Sequence, residues 1–168
     1  MSKEELIVLL KTYKENVAKL KLGEKEKKQY EIKLARLKSP YTRIIETNIT
    51  SSNAINAGIR SKNTINDKIG NAVANGIDRN NAKIKELENK IIELDLTIKD
   101  LKDKVDEVEI RLNGLYYKER EILTAYYVEN RTSEDISQNV YFKLFNRTCS
   151  PRYIRDVINR NTEKILKM

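Results

Sequence analysis

The fold of this chain follows from the stretch IKELENKIIELDLTIKDLKDKVDEVEIRLNGL, residues 84–115. Its apolar residues recur at alternating steps of three and four, which is the heptad repeat of helices that pack side by side. The first apolar position holds Ile84, Ile91, Ile98, Val105 and Leu112, and the second holds Leu87, Leu94, Leu101, Val108 and Leu115. The pattern predicts one long helix with a continuous apolar seam over residues 83–114.

The side chains on and beside the seam favour a parallel pair of identical helices. β-Branched residues at the first position and mostly leucine at the second are typical of two-stranded parallel coils. In that arrangement attractive pairs form between copies, namely Lys83 with Glu88, Lys90 with Asp95 and Lys104 with Glu109. We therefore predict a homodimer through Ile84, Leu87, Ile91, Leu94, Ile98, Leu101, Val105 and Val108. The alternative is an intramolecular hairpin, in which the N-terminal helix packs on the same seam.

The composition predicts an all-α protein. Charged residues make up 35% of the 168 residues, and there are only two prolines and five glycines, a balance typical of helix-rich chains. Leucines at steps of three and four predict a helix over residues 3–38, which Ser39-Pro40 ends because a residue before proline avoids the helical region.

The sequence predicts four segments. A polar connector rich in Ser, Thr and Asn follows the first helix, and Ile65, Ile69, Val73 and Ile77 predict that helix restarts near Thr64. The predicted segments are a basic N-terminal helix (1–38), a polar connector with partial helix (39–82), the heptad helix (83–114) and a C-terminal domain (115–168). At the last boundary, Gly114 predicts a left-handed helix cap and a joint on which the C-terminal domain swings.

The C-terminal domain is predicted to contain three short helices. The block KEREILTAYYVENRTSEDI, residues 118–136, indicates a first helix from about Tyr116 to Val128, a polar turn and the start of a second helix. Thr132, followed three residues later by Asp135, has the spacing of a capping box. Ser150-Pro151 is a typical start for a third helix, with a cap residue followed by proline at the first helical position.

The outer face of the third helix has the chemistry of a DNA-reading surface. Its side chains include Arg152, Arg155, Asp156, Asn159 and Arg160. Arginine bonds two acceptors on guanine, and asparagine bonds both groups on adenine in the major groove. The chain has a net charge of +8, and residues 141–168 carry seven positive and two negative side chains. Three helices with a basic last helix predict a helix-turn-helix domain that binds double-stranded DNA.

A family resemblance supports this interpretation. The segments LYYKEREILTAYYVENRTSEDIS (115–137) and SPRYIRDVINRNTEKI (150–165) resemble region 4 of bacterial sigma factors. The whole layout resembles phage and prophage regulators of the ArpU and RinA type, which switch on late phage genes by binding DNA. The resemblance implies a DNA-binding transcription regulator, and the homodimer predicted from the heptad seam would bind DNA with two copies. The chain departs from region 4 in one respect, because ten residues (141–150) separate Val140 from Pro151 where region 4 has a tight turn. Either the second helix runs on through Leu144, or an extra turn is inserted.

The resemblance also implies roles for particular residues. It places the base-reading face on the third helix and phosphate contacts at the start of the second helix, and Arg147 completes the basic set. The expected DNA-binding residues are Thr132, Ser133, Arg147, Arg152, Arg155, Asp156, Asn159 and Arg160.

The remaining features argue against other function classes. The chain has no histidine and no Gly-rich phosphate loop, so we expect no enzyme activity, no cofactor and no metal site. The single cysteine, Cys149, and the lack of a signal or membrane-spanning stretch predict a cytoplasmic protein that makes no membrane contact. Two alternatives stay open: a phage small terminase subunit for DNA packaging, and a coiled-coil adaptor that binds RNA polymerase or another protein.

Overall fold

The computed structural model describes residues 1–39 and 62–168, except for the side chains of residues 62–75. These residues form helices and no strand, which confirms the all-α prediction. The third and fourth helices each include a π-helical stretch. The helices are α1 (Lys3–Lys38), α2 (Lys62–Asn113), α3 (Tyr117–Leu123 continued by the π-helical Thr124–Val128), α4 (Ser133–Asp135, the π-helical Ile136–Val140 and Tyr141–Phe145) and α5 (Pro151–Leu166).

The two long helices have clear local causes. Ser2 and Glu5 form a capping box at the start of α1, in which each residue's backbone N–H donates to the other's side chain, at 2.7 and 3.1 Å. Helix α2 begins at Lys62, close to the predicted restart. It continues without interruption past the predicted boundary at residue 82, so the connector and the heptad segment are not separate there. The rest of the predicted connector, residues 40–61, lies outside the described residues.

The chain divides into two compact units. One unit combines Met1–Leu22 with Ile98–Met168, and the other contains Gly23–Thr97. The C-terminal unit is therefore larger than the predicted domain of residues 115–168, because it includes the start of α1 and the end of α2.

The core of the C-terminal unit explains this larger boundary. Leu6 and Leu10 of α1 are completely buried in the same cluster as Val108 of α2 and Ile154 and Ile165 of α5. Three short helices alone bury little apolar surface, so the two long helices complete a core that the short ones cannot form.

The junction between α2 and α3 is packed, and the predicted swing of the C-terminal domain about Gly114 stays a prediction. Gly114 does not have a left-handed backbone conformation, and a Cβ on it would lie 2.6 Å from the sulfur of Met168. Arg111 of α2 donates a hydrogen bond to the carbonyl oxygen of Ile165 in α5, and Arg120 donates one to Asn113 at 2.7 Å. These contacts tie the two sides of the junction together.

In the second unit the two long helices pair in antiparallel directions. The Lys27 ammonium lies 2.6 Å from an Asp95 carboxylate oxygen, and the Lys38 ammonium lies 2.7 Å from Glu88. The seam residues of this unit, such as Leu87 and Ile91, are half-buried. The heptad face therefore packs against α1 of the same chain, which is the hairpin alternative.

Five of the six charged residues predicted to pair between copies have partners within the chain. Glu88 and Asp95 pair with lysines of α1, and Glu109 in the C-terminal unit accepts a hydrogen bond from the Tyr13 hydroxyl at 2.8 Å. Lys90 and Lys104 pair with carboxylates one turn earlier in α2. A parallel dimer through this seam would have to displace α1, and such a homodimer stays a prediction.

We predict that Leu10→Ala lowers the free energy of unfolding by about 2–5 kcal/mol, because it leaves a cavity in the core of the C-terminal unit. Leu22→Ala is the matched control, since Leu22 lies in the same helix and is 66% exposed; we expect a change within about 0.5 kcal/mol. Urea denaturation of the full chain measures both. Equal effects of the two substitutions would show that the start of α1 is not part of the core.

We also predict that Lys27→Glu lowers the thermal midpoint of unfolding, because it sets a carboxylate against Asp95. The pair raises the pKa of Lys27, chiefly through its hydrogen bond to Asp95. This contribution is therefore full at neutral pH and is lost only as the pH rises through the raised pKa. Adding Asp95→Lys should restore the midpoint. Failure of the double substitution to restore it would contradict the intramolecular pairing of α1 with α2.

Candidate nucleic-acid interface

Helix α3 forms the first of three short helices and is fixed by its buried side. At its start, the Tyr116 N–H donates to Glu119 at 3.3 Å. Ile122, Leu123 and Tyr127 are buried in the core, and Asn130 follows the helix in the left-handed conformation with φ of 55°, a conformation that asparagine tolerates better than most residues. The polar turn therefore begins where the sequence predicts it.

Helix α4 begins with the predicted threonine cap. The Thr132 hydroxyl accepts a hydrogen bond from the Asp135 N–H at 3.2 Å. The Asp135 carboxylate instead accepts from Asn139 and from Arg131. One half of the predicted capping box is thus present, and the carboxylate of Asp135 binds residues of the turn and of α4 instead of the cap.

The ten residues between Val140 and Pro151 mostly extend the second helix. Tyr141 is buried and stacks on Phe145 with ring centroids 4.3 Å apart, which holds another helical turn in place. Asn146 then ends α4 in the left-handed conformation, with φ of 54°. Of the two alternatives for this segment, the structure has the continued helix, and only residues 146–150 connect it to α5.

Helix α5 has the capped start that the sequence predicts. The Ser150 hydroxyl accepts from the Tyr153 N–H at 3.2 Å, and Pro151 occupies the first turn, where it leaves no hydrogen bond unmade. Its inner face is fixed by Ile154, Ile158 and Ile165, which are buried. The orientation of its outer face is therefore set by apolar packing.

The structure brings most of the predicted DNA-binding residues to the surface. The exposed ones are Thr132, Arg147, Arg152, Arg155, Asp156, Asn159 and Arg160. Ser133 differs, because it is only 8% exposed. Its burial disfavours the predicted phosphate contact and leaves that contact to Thr132.

The arginines of this surface are free to bind an anion. Some other cations of the unit are paired: Arg131 pairs with Glu129 and Asp135, and Lys164 pairs with Glu119. By contrast, within the part of the chain that the structure describes, no carboxylate lies within ion-pair distance of four cations. These cations are Arg147, Arg152, Arg155 and Arg160.

Tyr153 belongs to the same surface, and the sequence interpretation did not assign it. It is 43% exposed, and its ring stands edge-on to that of Tyr141. A hydrogen-bonding interaction with Tyr141 is the main cause that raises the pKa of Tyr153, while the nearby charges of Arg160 and Arg147 partly oppose the rise. Both arginines therefore lie close to Tyr153. The position of Tyr153 next to Arg152 in the sequence could have indicated that it belongs to this surface, since aromatic residues among basic ones are typical of nucleic-acid surfaces.

No family model, no curated protein and no solved structure matches this chain. Among the described residues, no group of three or more acidic or cysteine side chains is placed to hold a metal ion. In the same part of the chain, no helix is both long and apolar enough to cross a membrane.

Cys149 lies half-buried just before α5, and we predict that its thiol reacts slowly. Burial raises the pKa of Cys149 above its usual value, and the charge of Arg147 opposes this only in part. Because the thiolate is the reactive form, alkylation by iodoacetamide should accelerate only as the pH approaches the raised pKa. A rate that levels off below the ~8.5 of an unperturbed cysteine would contradict this and indicate an activated thiol.

Proposed function

We propose that this protein is a sequence-specific DNA-binding transcription regulator of the phage type that its sequence resembles. The observation that carries the proposal is the set of exposed arginines on and beside α5 with no carboxylate partner. Such cations neutralise phosphates and supply the salt-dependent part of DNA affinity. The inner face of the same helix is fixed in the core, so the helix presents its arginines toward solvent in the free protein.

The dimensions and chemistry of α5 suit the major groove. An α-helix with its side chains is about 10–12 Å across, and the major groove is about 12 Å wide. Arg152, Arg155 and Asn159 lie on the exposed side of α5, where successive turns would meet successive base pairs. We assign Arg155 to guanine and Asn159 to adenine, and we assign Asp156 to the amino group of cytosine.

The residues around α5 would position it on the DNA backbone. Arg147 precedes the helix and Arg160 follows the base-reading residues along it, and both are exposed. Thr132 adds a hydroxyl at the start of α4. Contacts of this kind to phosphates set the register and orientation of a protein on a duplex but carry no sequence information.

The proposal includes two copies on one site, which is the predicted homodimer. Two copies related by twofold symmetry need two half-sites about one helical turn apart, roughly 10 base pairs from centre to centre. Since α1 already covers the heptad face of its own chain, we do not assign the pairing of copies to that face.

We predict that Arg155→Ala weakens binding to the preferred duplex, selected from a random pool, by about 1–3 kcal/mol and relaxes the preference for one base. The control is Arg79→Ala, which removes the same charge from an exposed position in the other unit. It should leave the preference unchanged. Fluorescence anisotropy at several salt concentrations measures affinity and salt dependence together.

Comparison of Arg155→Ala with a third variant, Arg147→Ala, separates specific from non-specific binding. Arg147→Ala should weaken binding to all sequences alike and reduce the salt slope by about one unit, as expected for a lost phosphate contact. If Arg155→Ala and Arg79→Ala have equal effects, α5 does not read bases and the proposal is wrong at its central point.

A further inference from the structure

A cleft lies beside the proposed DNA-binding surface, with which it shares Tyr153 and Arg160, and one residue of its lining has a polar atom without a partner. The cleft has a volume of about 180 Å³ and is bounded by α3, α4 and α5. Its walls include Lys118, Ile122, Tyr141, Tyr153, Arg160 and Asn161. This is smaller than the roughly 300–1,000 Å³ of sites for drug-sized ligands, and it suits a molecule with a single ring.

Asn161 is the unusual residue of this cleft. It is 2% exposed, and its Nδ2 has no hydrogen-bond partner. An unpaired buried donor costs about 1–3 kcal/mol of stability, so an apolar residue in its place would favour folding. The nitrogen is closed off from solvent in the structure, so a ligand acceptor would satisfy it once the amide turns toward the cleft.

The charges around the cleft favour an anion. Glu119 is the only carboxylate among the lining residues of this cleft, and it is already engaged by the Lys164 ammonium at 2.9 Å and the Tyr116 N–H. Lys118 lies over the Phe145 ring at 4.3 Å and, together with Arg160, has no carboxylate partner among the described residues. The two cations are thus available to a negatively charged group.

The remaining walls favour an aromatic ring. Tyr141, Phe145 and Tyr153 lie close together, with Tyr141 stacked on Phe145 and edge-on to Tyr153, and Ile122 and Val157 add aliphatic surface. Aromatic rings pack against one another in stacked or edge-on arrangements worth about 0.5–1.5 kcal/mol beyond burial alone.

We propose that this cleft binds a small aromatic carboxylate, with its ring among Tyr141, Phe145 and Tyr153 and its carboxylate accepting from Asn161 and facing Lys118 and Arg160. Occupancy would change DNA affinity, because Tyr153, Val157, Arg160 and Asn161 belong to α5. This last consequence rests on the proposed function, whereas binding in the cleft does not.

The test is a titration of the full chain, labelled with ¹⁵N, with benzoate, followed by NMR. Benzoate should shift the side-chain amide signals of Asn161 and the backbone amides of Tyr153 and Val157 along a saturable curve. Benzyl alcohol keeps the ring without the charge, and acetate keeps the charge without the ring. Each should bind at least about tenfold more weakly than benzoate, since one lost interaction of ~1.4 kcal/mol corresponds to that factor.

Two variants and one control locate the site. Lys118→Gln and Asn161→Leu should each weaken benzoate binding about tenfold, while Lys143→Gln, which changes an exposed lysine outside the cleft, should bind as the original chain does. Asn161→Leu should also unfold at an equal or higher temperature, because it removes the unpaired donor. This keeps a loss of binding distinct from a loss of fold.

Three results would overturn the proposal. They are the absence of a saturable shift, equal binding of benzoate and benzyl alcohol, and equal losses in Lys118→Gln and Lys143→Gln. DNA affinity measured with and without benzoate then separates the two claims. Benzoate binding without any DNA binding would leave the cleft in place and refute the regulator.

Discussion

The structure depends on the burial of one face of α5 in a core to which all five helices contribute. Ile154 and Ile165 share a core with Leu6 and Leu10 of α1 and with Val108 of α2. A short amphipathic helix gains most of its stability from such packing and little from its intrinsic propensity. Because the apolar face is fixed, the opposite face with Arg152 and Arg155 must lie at the surface. The exposed position of the basic residues therefore follows from the apolar ones, and a weaker core would leave the arginines without a defined direction.

Charge within this chain falls into two groups with different consequences. Some cations of the long helices are paired, as Lys27 is with Asp95 and Lys38 with Glu88, and exposed pairs of this kind contribute little to stability. Other lysines of α1, such as Lys11 and Lys14, have no ion pair with the described residues. The arginines of and near α5 have no such partner, so their field is not cancelled locally. Net charge alone does not separate these groups, because residues 1–38 carry eleven positive and six negative side chains, as basic a balance as that of the C-terminal end.

Local patterns predicted the helices well, and contacts between distant residues account for what they missed. The heptad spacing predicts α2 and its seam, but a second copy and α1 would both bury Ile91 and Leu94, so the spacing does not decide between them. The i,i+4 stack of Tyr141 on Phe145 extends α4, which is one of the two alternatives that the sequence left open. Glycine commonly forms a left-handed cap, whereas Gly114 does not, and a Cβ on it would approach the side chain of Met168 at the far end of the sequence. The outer face of α5 follows from helical periodicity, while the burial of Asn161 does not, since asparagine is usually exposed.

The most direct test of the account is to map the surface that DNA covers on the full chain. Hydrogen–deuterium exchange would be followed with and without the duplex that the protein retains best from a random pool at physiological salt. The account predicts protection at residues 147–160 and at the start of α4, with little change in residues 23–38 of the basic helix α1. Protection that instead spreads along α1, or that is equal for any duplex, would show that the protein binds DNA only through diffuse charge and would contradict the role given to α5.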